Sequence, residues 1–385
     1  MRPTSSVVAS MRRSGIREVM ELAQAIPDAI HLEVGEPGFP TPAHIVEAAH
    51  IAAQAGFTKY TANAGMLSLR KLLVGKLHDL NGLEATPENI VVTPGAVTAI
   101  ATTIMALVEP GDEVLLPDPG WPNYQMMVPA AGAVAVLYPL RPQNGFTPDF
   151  AALEGLVTPR TKAMVINSPG NPTGAVFARD VVLQLLDFVR RHDLYLISDE
   201  VYEQIIFEGE HVSPGRFDTE GRVITVSGFS KTYAMTGWRL GYAVAAQPLA
   251  AQIAKLQEPF VSCASAVSQK AGEAALSGPQ DCVREMVDEY RRHRDQAAGI
   301  LTAAGVPFFK PQGAFYTMVD ISTSGLDSYA FARRLLQEAR VAAAPGATFG
   351  PSAASHVRIS LASPAGAVAE GVGRLSEFIN HLRKG

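Results

Sequence analysis

Lys231 stands in the run Ser227-Gly228-Phe229-Ser230-Lys231-Thr232-Tyr233-Ala234-Met235-Thr236-Gly237-Trp238-Arg239-Leu240-Gly241-Tyr242. An apolar stretch, Arg222-Val223-Ile224-Thr225-Val226, delivers this amine into a turn of small residues, and Arg239 follows at a spacing of about two helical turns. A lysine held in partly apolar surroundings loses hydration, which favours the neutral, nucleophilic amine. A nearby guanidinium can fork onto a phosphate. A lysine alone is most often a solvated surface cation, so the other segments carry the decision.

Val91-Val92-Thr93-Pro94-Gly95-Ala96-Val97 reads as a strand that stops at small residues and opens a helix. The first N–H groups, at Gly95, Ala96 and Val97, would face an anion; the plain alternative is an ordinary strand-to-helix turn. Asp118-Pro119-Gly120-Trp121-Pro122-Asn123-Tyr124 reads as a proline-rich loop in which Trp121 offers an indole face to a flat ring, or merely packs at the surface. In the rigid turn Asn167 to Gly174, Asn171 can donate to a phenolic oxygen, or only satisfies turn geometry. Asp199, in Ser198-Asp199-Glu200-Val201-Tyr202, sits at a strand end, where a carboxylate can keep a pyridine nitrogen protonated and the ring electron-accepting. Its alternative is a helix N-cap. Tyr202 adds a hydrogen bond to the phenolic oxygen, and Glu200 is read as structural. Arg358, inside the apolar run Val357-Arg358-Ile359-Ser360, needs an anion. A substrate α-carboxylate, gripped bidentately, is one candidate; an internal salt bridge is the other. An amine, a phosphate clamp, a ring carboxylate and a stacking indole together equip a chain for pyridoxal 5'-phosphate (PLP).

The elements that must position these groups read as an α/β pattern with a mainly parallel sheet. Strand candidates are 113–116, 133–137, 162–166, 194–198, 223–226 and 241–244, with helical period between several of them, as over 181–192. Asn171, Asp199 and Lys231 each follow a strand, and open α/β sheets bind ligands at the carboxyl ends of their strands. Beyond Val261 the pattern changes to a helix over 277–304, a helix over 329–339, a strand at 356–360 and a last helix over 367–382. This reads as a smaller α+β domain. The expected division is a large domain over 46–275 and a small one built from 1–45 and 276–385.

The chain has 385 residues, 47% hydrophobic and 18% charged, enough for two domains and a large core. A net charge of -5 without a basic stripe argues against nucleic acid and anionic membranes as partners. The basic cluster Met11-Arg12-Arg13 precedes Ser14-Gly15 and not an apolar core, so no secretory signal is expected. No apolar run is long enough to span a bilayer. Two cysteines, Cys263 and Cys282, exclude a disulfide scaffold and a cysteine-rich metal site, no metal is expected, and a reduced cytoplasm is the simplest compartment.

These residues match a known family. The chain resembles the class I/II aminotransferases, PLP enzymes of the aspartate-aminotransferase fold (fold type I). The likeness runs from Leu32-Glu33-Val34-Gly35-Glu36-Pro37 through Lys59-Tyr60, the Gly95 turn, Asn167 to Gly174, Ser198 to Tyr202 and Lys231 to Tyr242. It ends at Pro311 to Tyr316, Pro345 to Gly350 and Val357 to Ser360. It implies a seven-stranded, mainly parallel sheet between helices, a Schiff-base lysine at Lys231 and a pyridine-nitrogen partner at Asp199. It further implies phenolic-oxygen donors at Asn171 and Tyr202, a stacking ring at Trp121 and a phosphate turn at Gly95, Ala96 and Val97. Arg239 resembles the phosphate arginine and Arg358 the carboxylate arginine, while Gly35 sits where backbone helps position the carboxylate. Tyr60 resembles a phosphate contact from a neighbouring subunit, which implies a homodimer with shared active sites. Gly228 departs from members that carry a phosphate-binding hydroxyl there and Val97 offers no side-chain donor, which shifts weight to Ser230, backbone and Arg239. The implied reaction moves an amino group from an L-amino acid to a 2-oxo acid.

Two rivals remain at this level: a PLP lyase or synthase of the same fold (carbon–sulfur lyase or cyclopropane-forming), and a catalytically silent ligand sensor. A nucleotide enzyme is disfavoured, because there is no G-x-G-x-x-G and Gly228 to Thr232 lacks the glycine before lysine that a P-loop needs. Met126, Phe260 and Phe315 are candidates for an apolar pocket, with core packing as the alternative.

Overall fold

The structure is a computed structural model that describes every residue except Met1, Pro3, Arg12, Lys384 and Gly385. Arg12 of the basic cluster therefore lies outside the described residues. The strands, in chain order, are β1 (Ile30–His31), β2 (Ile90–Thr93), β3 (Glu113–Asp118), β4 (Val134–Pro139), β5 (Thr161–Asn167), β6 (Tyr195–Asp199), β7 (Val223–Gly228), β8 (Gly241–Val244), β9 (Tyr316–Asp320), β10 (Val341–Ala342), β11 (Ala344–Pro345) and β12 (His356–Ser360).

Seven of them form one sheet in the order β2-β8-β7-β6-β5-β3-β4. It is parallel except where β8 runs against β2 and β7. Helices cover both faces, which is why its central strands read as unbroken apolar runs and not as alternation. Neighbouring residues of one strand still divide between two cores, as the pleat requires. Val114 and Leu116 pack with Ile100, Ile104 and Val128, while Leu115 packs with Leu185, Phe188 and Val189. All of β2, β3, β6 and β8 except Tyr195 is buried.

A second, antiparallel sheet, β11-β12-β9, packs with the helices Asp281–Ala303, Ser328–Ala339 and Ala365–Leu382 around Tyr290, Phe315, Phe331 and Val357. The N-terminal segment joins this smaller layer, because β1 pairs in parallel with β10, Ile30 against Val341. Ile45, in the next helix, packs instead with Leu69, Leu73 and Val92 under the large sheet.

Three local expectations need correction. The helix expected over 277–304 starts only at Asp281 and runs to Ala303, because Gly278-Pro279 separates it from the preceding helix, Ala266–Ser277. The segment around Trp121 is a loop only to that residue. Pro122 occupies the first turn of the helix Pro122–Ala130, where its missing N–H costs nothing, so Tyr124 is helical. The spacing from Lys231 to Arg239 is bridged by a short helix, Phe229–Thr232, and a 3₁₀ turn, Thr236–Trp238, with Arg239 left-handed at φ 51°.

Candidate active site

A cleft of about 1050 Å³ opens where β5, β6 and β7 end, roofed by the N-terminal segment and by β12. Among its walls are Gly35, Ala96, Val97, Trp121, Asn171, Asp199, Tyr202, Ser230, Lys231, Arg239 and Arg358.

Lys231 is carried past the end of β7 on the helix Phe229–Thr232. Its Nζ donates to the Gly35 carbonyl at 2.6 Å and lies 6.0 Å from the centre of the Phe315 ring. Burial pulls the ammonium down to about 8, against the opposing charge of Glu36 and with help from Arg358 and Arg239. Asp199, 3% exposed, ends β6. It caps no helix: Tyr124 Oη donates to Oδ2 at 2.5 Å and the Val201 N–H to Oδ1 at 3.3 Å. Burial raises its carboxyl to about 6, and the Tyr124 hydrogen bond opposes that rise.

The two amides after β5 divide their work. Asn167 donates to the Asp199 carbonyl at 2.9 Å and accepts the Asn171 N–H at 2.7 Å, so it ties two strand ends together. Asn171 Oδ1 accepts from Arg358 Nη1 at 3.0 Å, which leaves its Nδ2 as the donor. Arg358, only 1% exposed, lies between the rings of Tyr316 (4.3 Å) and Phe349 (4.8 Å). Its Nη2 donates to the Glu33 carbonyl. Among the described residues its Nε has no partner and no carboxylate pairs with it, so the internal salt bridge weighed above is not formed. Burial lowers its pKa, the expected strain on a cation held without a counter-ion.

At the other end, Gly95 precedes the helix Ala96–Leu107 with φ 82°. A Cβ there would lie 2.7 Å from Arg239 Nη2, so glycine lets the guanidinium close over the helix start. A Cβ at Gly241 would likewise lie 2.3 Å from the Ala96 nitrogen. The result is a cationic cradle of backbone N–H groups, the form a phosphate requires. With the depressed amine, the ring-edge carboxylate and the unpaired arginine, the residues present fit PLP and an amino-acid carboxylate.

A family model for aminotransferase class I and II matches residues 27–375. The chain belongs to the class I and II aminotransferases. It is 41% identical to an aspartate/prephenate aminotransferase of Thermus thermophilus, over 94% of this chain and 92% of that protein. It is 37% identical to aromatic-amino-acid aminotransferase 2 of Thermococcus litoralis, over 96% of each. The solved aspartate aminotransferase of Thermus thermophilus with maleate superposes with a TM-score of 0.93 at 39% identity, covering 98% of this chain and 100% of that one. Fold type I, PLP dependence and amino transfer follow for the chain as a member of this family. No helix among the described residues is long and apolar enough to cross a membrane.

Within this aminotransferase, the structure gathers every site residue read from the sequence except two. Gly95 sits behind the cradle and not on the cleft wall, and Tyr60 is 89% exposed and lies outside the cleft. Of the apolar-pocket candidates, Met126 lines the cleft, Phe315 is core and Phe260 faces outward. Three contributions escaped the sequence reading. Tyr124 holds Asp199. Tyr316 exchanges a 2.8 Å hydrogen bond with Tyr202 and stacks on Arg358. Val8, Met11, Ile16, Arg17 and Met20 of the N-terminal segment cover the mouth. The register faces Tyr316 to Ser360 and Met318 to Arg358, a tertiary pairing; the available signal for Tyr316 was its place in the run Pro311 to Tyr316.

Proposed function

We propose that the chain transfers the amino group of L-amino acids with large apolar or aromatic side chains to a 2-oxo acid, with Lys231 as the covalent anchor and proton carrier. The observation that carries this reading is the convergence of the Lys231 amine, the Asp199 carboxylate and the unpaired Arg358 guanidinium in one cleft. The preference for large apolar side chains is supported by Met126, Ile16 and Met20 along that cleft. The named relatives act on aspartate, prephenate and aromatic amino acids, so aspartate is the donor that tests the preference.

When bound, PLP supplies an aldehyde carbon that an amine can take up and a protonated pyridine ring that accepts the electron pair of the substrate's α-carbon. Lys231 Nζ would be the amine that anchors PLP, and the same nitrogen would serve as the base that holds and moves the substrate's α-proton. Asp199 holds a proton on the pyridine nitrogen. Asn171 Nδ2 and Tyr202 Oη would donate to the phenolic oxygen, and Trp121 would offer the ring an indole face. The N–H groups of the Gly95-Ala96-Val97 turn, Ser230 and Arg239 hold the phosphate. Arg358 and Asn171 grip the substrate carboxylate, with the Gly35 backbone beside it.

The functional unit is a homodimer in this reading, with Tyr60 completing the partner's phosphate site. Support comes from the exposure of Tyr60, whose neighbour Thr61 donates its N–H to Cys263 Sγ, close in sequence to the exposed Phe260 and Val261. The large domain spans 46–275 and the small one the remainder, and the two free cysteines agree with a cytoplasmic setting.

The test supplies PLP-loaded protein with phenylalanine, tyrosine or aspartate, with and without 2-oxoglutarate. Transfer that needs the acceptor and favours the aromatic donors is expected, with borohydride fixing the cofactor on Lys231. Ammonia released without an acceptor would identify a lyase instead. Mixing Tyr60→Ala and Lys231→Ala proteins, each inactive alone, should restore part of the activity if sites are shared; no recovery sinks the shared-site arrangement.

A further inference from the structure

Behind the turn that carries Asp199 lies a second cluster of charge that the reaction does not use. Lys76 ends the helix Leu67–Lys76, and Asn81 ends the π-helical turn Leu77–Asn81 that follows. Lys76 Nζ donates to Glu203 Oε1 at 2.5 Å and to Asn81 Oδ1 at 2.8 Å. Asn81 Nδ2 donates to Glu203 at 2.6 Å and to Glu200 at 3.1 Å. His211 Nε2 lies 2.9 Å from the same Glu200 oxygen, Oε2, and the hydroxyls of Ser198 and Ser213 each donate to Oε1 at 2.8 Å. Ser227, on β7, donates to Glu203 at 2.7 Å. Glu200, Glu203 and His211 are spaced closely enough to ligate a metal, but the Lys76 ammonium already sits against Glu203 as the cation.

Joining a helix to a sheet does not require buried charge, since apolar side chains of similar volume stabilise as well or better. The placement of the cluster is the informative point. Glu200 is the neighbour of Asp199 and Glu203 the neighbour of Tyr202, while Ser227 lies on the strand that leads to Lys231. We propose that Lys76, Glu203, Glu200 and His211 are positioning residues for amino transfer: they hold residues 199–203 against β7 and cancel one another's charge, so that Asp199 stays ionised at working pH. The proposal rests on the reading of Asp199 as the partner of the pyridine nitrogen.

The charge balance is explicit. Lys76 offsets Glu203, and protonated His211 offsets Glu200. Burial alone would strip the proton from either cation, but Glu203 and Glu200 outweigh it and both pKa values end above their ordinary values. Tyr242 and Tyr233 also face Lys76, and Tyr124, Tyr202 and Lys231 face Asp199; burial pushes all four phenols upward, so they stay neutral. Removing the His211 charge leaves Glu200 bare next to Asp199, and removing Lys76 leaves Glu203 bare next to Tyr202; in either case Asp199 would keep its proton to higher pH.

The experiment uses PLP-loaded Lys76→Met, Glu203→Gln, the double variant and His211→Asn. Two midpoints are read: the pH titration of the visible absorption band without substrate, and the acid limb of kcat. Lys76→Met should move both upward by about one pH unit and Glu203→Gln should move both downward. The double variant should return to within about 0.3 unit of the parent, since the charges cancel again. His211→Asn, which bares Glu200, should also move both upward. If Lys76→Met does not fold, the opposite signs of Glu203→Gln and His211→Asn carry the test. Variants that lose thermal stability with unmoved midpoints reduce the cluster to a structural role and overturn the proposal. A parent protein that takes up no PLP overturns the site reading and this inference with it; a normal band with unmoved midpoints overturns this inference alone.

Discussion

Two buried groups of charge flank residues 199–203, and they are satisfied in opposite ways. On the cleft side, Arg358 has no carboxylate partner among the described residues and Lys231 finds only a backbone carbonyl. Asp199 is held by a neutral phenol. On the far side, Lys76, Glu203, Glu200 and His211 close their charges among themselves. A buried ion is costly unless paired, so the fold tolerates unpaired ions only where something else completes them. Burial alone does not mark a site; burial without a partner does.

That contrast can be broken, most forcefully at Lys231. Lys231→Ala should cut amino transfer by at least about 10⁴-fold, because anchor and proton carrier vanish together; steady-state assay with an aromatic donor measures it. Arg358→Lys keeps the charge but loses the planar fork. It should lower kcat/KM by about 10²-fold, mostly through KM. Opposite behaviour is expected across the turn, where Lys76→Met should cost about 3 kcal/mol of stability by leaving Glu203 unpaired, read by urea unfolding of the cofactor-free protein. An equal stability loss at Arg358 would erase the distinction between the two groups. The smallest effect belongs to Tyr124→Phe. Loss of its hydrogen bond removes a force that lowers the Asp199 pKa, so the acid limb of the pH–rate profile, starting from about 6, should move up by less than about one unit. A downward shift would show that Tyr124 does not act through Asp199.

The sheet and most of the site were legible because sequence order carries them. Each parallel strand is a short apolar run, and Asn171, Asp199 and Lys231 each come directly after one, so a single topological rule brings them together. Arg358 betrayed itself as a cation inside an apolar strand. Tyr124 did not, because the helix that carries it has no marked apolar face and its partner lies 75 residues away. The cover formed by Val8, Ile16 and Met20 is purely tertiary and has no local pattern. Gly278-Pro279 was absorbed into a helical stretch because apolar period continues on both sides of it. The position of Tyr60, if it serves a partner's site, is set by a second chain and lies beyond any one-chain reading.

The pairing of Ile30 with Val341 has a consequence for how the molecule is made. The residues of β1 leave the ribosome about three hundred residues before their strand partner, and the Lys231 floor is synthesised between the two. The nascent protein therefore builds its reaction chamber with the door unhung, and the entrance can be framed only once Val341 has emerged.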